Sequence, residues 1–170
     1  MKSTLAKPVP KKFSRKRVRR TAAQGPLKKA IGGIVSYCVH GTSGNTAFSP
    51  GQLVEVLRVG LPVKELNDLQ ATLAVPMDKL VPMLGISKAT LHRRKIEGRL
   101  DQAESDRVVR YARLMGKAIE VMESEENARQ WLNSSQFGLG GAVPLEYAET
   151  EVGAREVENL LGRIEYGVYS

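Results

Sequence analysis

Met77 to Gly98 reads MDKLVPMLGISKATLHRRKIEG, two short helical stretches joined through a glycine, with the second one laden with cations. Gly85 follows the apolar pair Met83 and Leu84, where the first helix must stop and where a left-handed residue costs least. Ser87 offers a hydroxyl cap to the helix that follows. Beyond it stand Lys88, Thr90, His92, Arg93, Arg94 and Lys95, all able to meet phosphates or base edges, while Leu91 points back to a core. Such a segment either presents a helix to a DNA groove or is an ordinary helical hairpin with a solvated charged face.

Helical geometry sorts these side chains. With Leu91 buried, Ser87, Arg94 and Lys95 lie within about a sixth of a turn of its direction, although Ser87 also sits at the exposed helix start. Arg93 and Ile96 point away, and Lys88 is near the start, where recognition helices meet bases. The expected groove-facing set is therefore Ser87, Lys88, Ala89, His92 and Arg93. Arg94 is expected to pair with an internal carboxylate or to snorkel to the backbone.

Outward from this stretch, charge is distributed steeply along the 170 residues, whose net value is +8. Residues 1–30 hold eleven cations and no anion, residues 31–100 eight cations against five anions, and residues 101–170 seven against thirteen. A basic front attracts polyanions, whereas an acidic rear repels DNA and suits a protein partner. The run Lys11 to Arg20, KKFSRKRVRR, is expected to be disordered and to serve as a nuclear signal, a DNA-clamping arm or a solubilising tail. Ala30 to Val39 is apolar but only ten residues long, too short for a bilayer, and reads as a short helix or strand, loosely docked or unfolded. A single cysteine, Cys38, excludes internal disulfides and points to a reducing cytoplasm. His40 and His92 are too isolated for a metal centre. With no nucleophile and base at a recognisable spacing, the chain does not read as an enzyme and calls for no metal or cofactor of its own.

Helix punctuation runs through the rest. Ser49 and Pro50 mark a start and Gly60 an end; Val63 to Ala74 carries Leu66, Leu69 and Leu73 at helical spacing; Pro76 opens the short helix that Pro82 should bend. Asp101 caps a long helix to about Glu123 with two apolar series, Val108, Ala112, Met115, Ile119, Met122 and Tyr111, Leu114, Ala118, Val121. Such a helix joins two modules, contacts another copy or is simply a buried central rod, with Arg107, Arg110, Arg113 and Lys117 on the wet side. Ser124 caps Glu125 to Leu132, where Trp131 and Leu132 anchor a core. Gly138, Gly140 and Gly141 lack the lysine and strand of a phosphate loop and read as a plain turn. Pro144 opens a last helical region that Gly153 interrupts, with Leu145, Ala148 and Val152 patterning its first part and Val157, Leu160, Leu161 and Ile164 its second. After Ile164 no helix stop is evident.

From about Leu53 onward the chain resembles the Xre/MbcA/ParS antitoxins, partners of RES-domain toxins. The resemblance rests on LGIS, TLHRRK and GRL between 84 and 100, on ESDRVVRYARL after them, and on NARQWLNSSQFGLGGAVPLEY and EVGAREVENLLGRIEYGV downstream. It implies an all-α chain with a basic arm over 1–48, an Xre-like helix-turn-helix domain over 49–118 and a small helical toxin-binding domain over 119–170. It further implies a cytoplasmic protein, homodimeric within a larger toxin–antitoxin complex, that binds the operator DNA of its own operon and neutralises an NAD-consuming toxin. In that family the chain end enters the toxin's cofactor cleft; carried over, the plug is Glu165, Tyr166, Gly167, Val168, Tyr169 and Ser170. Its two tyrosines offer flat, low-entropy surfaces and the Ser170 carboxylate mimics a phosphate's charge, unless the tyrosines pack on their own terminal helix. The competing reading is a plain helix-turn-helix regulator whose rear domain serves dimerisation or ligand sensing.

Overall fold

The structure, a computed structural model, describes residues 33–40 and 49–168. The basic run Lys11–Arg20, and Tyr169 and Ser170 of the expected plug, lie outside the described residues. Everything described is helical apart from turns and one isolated antiparallel bridge between Pro62 and Arg99. The order is α1 (Ile34–His40), α2 (Pro50–Val59), α3 (Val63–Leu73), α4 (Met77–Met83), α5 (Lys88–Glu97), α6 (Gln102–Met122), α7 (Glu125–Asn133), a 3-10 turn (Phe137–Leu139), α8 (Pro144–Tyr147) and α9 (Glu151–Glu165).

The caps explain most of these boundaries. The Ser49 hydroxyl accepts from the Gln52 N–H and the Gln52 side chain accepts from the Ser49 N–H, closing a capping box on α2. Asp101 and Glu104 do the same for α6, and Ser124 caps α7 through the Asn127 N–H. Pro82 lies in the last turn of α4, which ends one residue later. Between α2 and α3 the chain turns at Gly60, φ +91°, where an added Cβ would stand 2.1 Å from the Leu100 carbonyl. The Leu100 N–H donates to Leu61 O at 2.8 Å, so this turn is stitched to the turn that precedes α6.

α6 is the organising rod. Both of its apolar series are consumed inside the chain: Val108, Tyr111, Ala112, Leu114, Met115 and Ala118 are fully buried, against α1, α2 and α3 on one side and α7 and α9 on the other. The basic residues expected on its wet side are largely tied down. Arg107 donates to Leu84 O at 2.9 Å, Arg110 lies 3.1 Å from the Glu151 carboxylate, and Lys117 reaches Glu165. Arg113 alone of the four is exposed.

Three expectations are corrected. The apolar segment before His40 is neither loose nor part of an arm: α1 buries Ile34, Val35 and Val39 against α6. Two features drive this docking. Gly116 in α6 has no Cβ, and one built there would meet the Cys38 carbonyl at 2.4 Å. The buried Glu65 carboxylate of α3 accepts from the Val35 N–H at 2.9 Å, satisfying the start of α1. Secondly, Gly153 does not interrupt a helix. The break falls at Ala148–Thr150, Thr150 caps α9, and Gly153 sits inside its first turn because a Cβ there would lie 1.8 Å from Tyr147 O. Val152, expected to pattern with Leu145 and Ala148, is exposed. Thirdly, α9 has a definite stop: Gly167 takes φ +66°, its N–H donates to Ile164 O and the Val168 N–H donates to Arg163 O, the paired bonds of a Schellman ending.

Candidate functional site

α4 and α5 form the helix-turn-helix anticipated around Gly85. Gly85 adopts φ +64°, the Ile86 N–H closes on Val81 O at 3.0 Å, and the Ser87 hydroxyl accepts from the Thr90 N–H at 3.0 Å. No residue of α5 is fully buried; Leu91 packs against the core from a half-buried position. The remaining grip is ionic. Arg94, whose side chain is only 13% exposed, donates from Nε to Glu104 at 2.7 Å, from Nη2 to Asp101 at 2.7 Å and from Nη1 to Glu97 at 2.9 Å. Hydrogen bonds to Glu104 and then Glu97 push its pKa further up, so it is a permanent cation here. Glu104 and Asp101 are also the capping box of α6, which means the receptor for Arg94 is the start of the central rod. This is the internal carboxylate partner expected from the helical wheel.

With Arg94 turned inward, Ser87 at the helix start and Lys88, Ala89, His92 and Arg93 along α5 are all exposed. Arg93 approaches Glu97 at 3.8 Å, a loose surface pair that leaves its guanidinium open to a partner. Lys95 and Ile96 are exposed beside them. This side can present cations and hydroxyls to phosphates and base edges.

At the other end of α6 lies the root of the chain end. Lys117 donates to Glu165 at 2.7 Å and approaches Glu120 at 3.5 Å, and its pKa is raised first by the bond to Glu165. Glu165, expected in the plug, is thus fastened to α6. Tyr166 and Val168 leave the body, 78% and 54% exposed, so the Tyr166 ring does not pack on α9. The Tyr111 hydroxyl donates to Leu145 O at 3.1 Å from a fully buried position, and burial raises its pKa. Lys79 of α4 pairs with Glu146 of α8 at 2.9 Å, and Arg129 of α7 donates to Thr72 O of α3 at 2.7 Å. The front and rear helices therefore form one packed body. Among the described residues no cluster of three His, Cys, Asp or Glu is placed to hold a metal, and no helix is long and apolar enough to cross a membrane.

Fold and surface define a two-module helical protein built on one shared rod, with a helix-turn-helix at one end. Residues 52–113 match the antitoxin Xre-like helix-turn-helix domain, and residues 117–167 match the antitoxin Xre/MbcA/ParS C-terminal toxin-binding domain. An Antitoxin Xre from Yersinia enterocolitica is 32% identical over 120 residues, covering 69% of this chain and 81% of that protein. Another from Photorhabdus laumondii is 32% identical over 131 residues, 76% of this chain and 88% of the relative. A Prs ADP-ribosylating antitoxin from a Sphingobium species is 24% identical over 132 residues, 72% of this chain and 83% of its own length. The chain belongs to the Xre antitoxin family.

Sequence reasoning chose the exposed side of α5 but did not foresee that Glu104 and Asp101 would receive Arg94, nor that Lys117 would hold Glu165. The first carried a signal, since D-x-x-E before an apolar run announces a capping box with free carboxylate oxygens. The second carried none, because residues 48 apart meet only through the packing of α9 on α6.

Proposed function

We propose that this antitoxin neutralises a RES-domain, NAD-consuming toxin by placing the segment after α9 in the toxin's active site, and that it represses its own operon by binding operator DNA through α5. The observation that supports the first half best is the geometry at the end of α9. The last turn packs on α6 and is tied to it at the surface by Glu165 and Lys117, and the Schellman turn at Gly167 closes the helix with Tyr166 and Val168 exposed. A root seated on the body limits the entropy lost on insertion, and an exposed aromatic side chain such as Tyr166 fills a nucleotide-sized pocket with few torsions to freeze. Inhibition is then steric. The groove-facing residues are Ser87, Lys88, Ala89, His92 and Arg93, with the homodimer supplying two copies of α5 to two half-sites.

The test has two arms. Co-expression with the toxin is protective for the full chain and loses protection when the chain stops at Glu165; retained protection rejects the plug. An electrophoretic shift on the operon's own promoter is expected for the wild type, and Arg93→Ala should weaken it by about 1–3 kcal/mol if the guanidinium meets a base. Absence of any wild-type shift at moderate salt rejects the repressor role while leaving the inhibitor role standing.

A further inference from the structure

The 3-10 turn Phe137–Leu139 presents an aromatic ring to solvent on a frame with no slack. Phe137 is 99% exposed, more than any other large apolar side chain among the described residues. The turn is closed by the Gln136 N–H donating to Ala142 O at 3.0 Å, the Gly141 N–H to Gln136 O at 2.9 Å and the Gly140 N–H to Phe137 O at 2.9 Å. The Gln136 side chain ties it back to α7, donating to Trp131 O at 3.0 Å and Ser134 O at 3.1 Å. Gly138 lies against α9, where a Cβ would stand 2.6 Å from Leu160 Cδ1. The inner place is thus taken by Leu160, and the ring faces outward.

An aromatic ring held out on a rigid frame is useful to a partner, because little freedom is lost when it docks. The segment itself favours an apolar contact, since Gln130 to Leu145 contains no charged residue although the rear module is anion-rich. The turn also lies within residues 117–167, the segment that matches a toxin-binding domain. Tyr166, where the chain end leaves the body, is six residues beyond Leu160 along α9, a rise of roughly 9 Å. The ring and the exit point therefore stand within the reach of one protein interface.

We propose that Phe137 is an anchor for the toxin, its ring entering an apolar pocket on the toxin's surface outside the cofactor cleft. This rests on the toxin-binding reading of the rear module. The two contacts divide the work: the chain end blocks the chemistry, and Phe137 supplies affinity that does not depend on what occupies the cleft. A turn already held by its own hydrogen bonds loses little freedom when it docks, which is the condition under which one aromatic side chain dominates an interface.

Calorimetric titration of the full chain with the catalytically inactivated RES-domain product of its operon tests this, using wild type, Phe137→Ala, Phe137→Leu and Phe137→Asp. Phe137→Ala is expected to bind about thirtyfold more weakly or worse, Phe137→Leu to fall between it and wild type, and Phe137→Asp to be weakest. Melting temperature and the mass of the free chain by light scattering should not change, as the ring touches little of its own protein. Unchanged toxin affinity in Phe137→Ala beside normal wild-type binding overturns the anchor and leaves the toxin reading intact. A changed mass of the free chain with unchanged toxin affinity assigns the ring to a second copy and also overturns it. No binding by the wild type overturns the toxin reading and the anchor together.

Discussion

Arg94 shows what one residue can do to a reading helix. A chain with Leu91 as the sole core contact of α5 would let that helix rock, yet two carboxylates at the start of α6, Glu104 and Asp101, both 2.7 Å from Arg94, fix its orientation. Arg94→Ala should therefore raise amide hydrogen exchange in Lys88–Glu97 well above that in α6, and equal protection in both would contradict the clamp. Arg94's inward direction was legible, because a three-residue spacing from an inward-facing leucine is a matter of helix geometry. Gly153 and Gly167 were misread for the opposite reason: whether a glycine breaks a helix, admits a neighbouring carbonyl or closes a helix end depends on what packs beside it. Cys38 offers a second test. Burial lifts its thiol from an ordinary 9.0 to about 11. A raised folded value means the unfolded chain releases the proton first, so this group's stabilisation is complete below about pH 9 and is lost as pH rises toward 11. At pH 8 a disulfide reagent should react with native Cys38 at least about tenfold more slowly than with the denatured chain, the lower thiolate fraction being partly offset by the greater nucleophilicity of a higher-pKa thiolate; equal rates would contradict the raised pKa.

Elements with a chemical signature at their ends were readable, and those created by contact were not. Ser49, Ser87, Asp101 and Ser124 each stand as caps where the sequence places them. α1 has no comparable signature, because its start is satisfied by Glu65 from another helix and its packing depends on a missing Cβ at Gly116. The exchange Gly116→Ala tests that dependence. Alanine favours the helix by itself, but its methyl would meet the Cys38 and Val39 carbonyls at 2.4 and 3.1 Å, and overpacking of this kind costs about 1–3 kcal/mol. A net loss of stability in urea unfolding, with faster exchange confined to Ile34–His40, is expected; a gain in stability would show that α1 is not held against α6.

At the scale of the whole molecule, the two modules inferred from the motifs meet inside a helix and not at a linker. α6 runs through the expected boundary at 118/119, its start receiving Arg94 and its far half carrying Lys117 and the root of the chain end. The charge gradient suggested a division of partners, but no pattern in the sequence shows that the parts share one rod, since the second apolar stripe serves equally for a partner copy. Sharing it gives the protein a fixed relation between the helix offered to DNA and the segment offered to the toxin. Consumption of NAD by the purified RES-domain toxin, followed while this chain is titrated in, tests the central claim most directly. The account predicts that the full chain abolishes consumption near one equivalent per active site and that a chain ending at Glu165 leaves consumption running even at concentrations where it still binds; full inhibition by the shortened chain would contradict it.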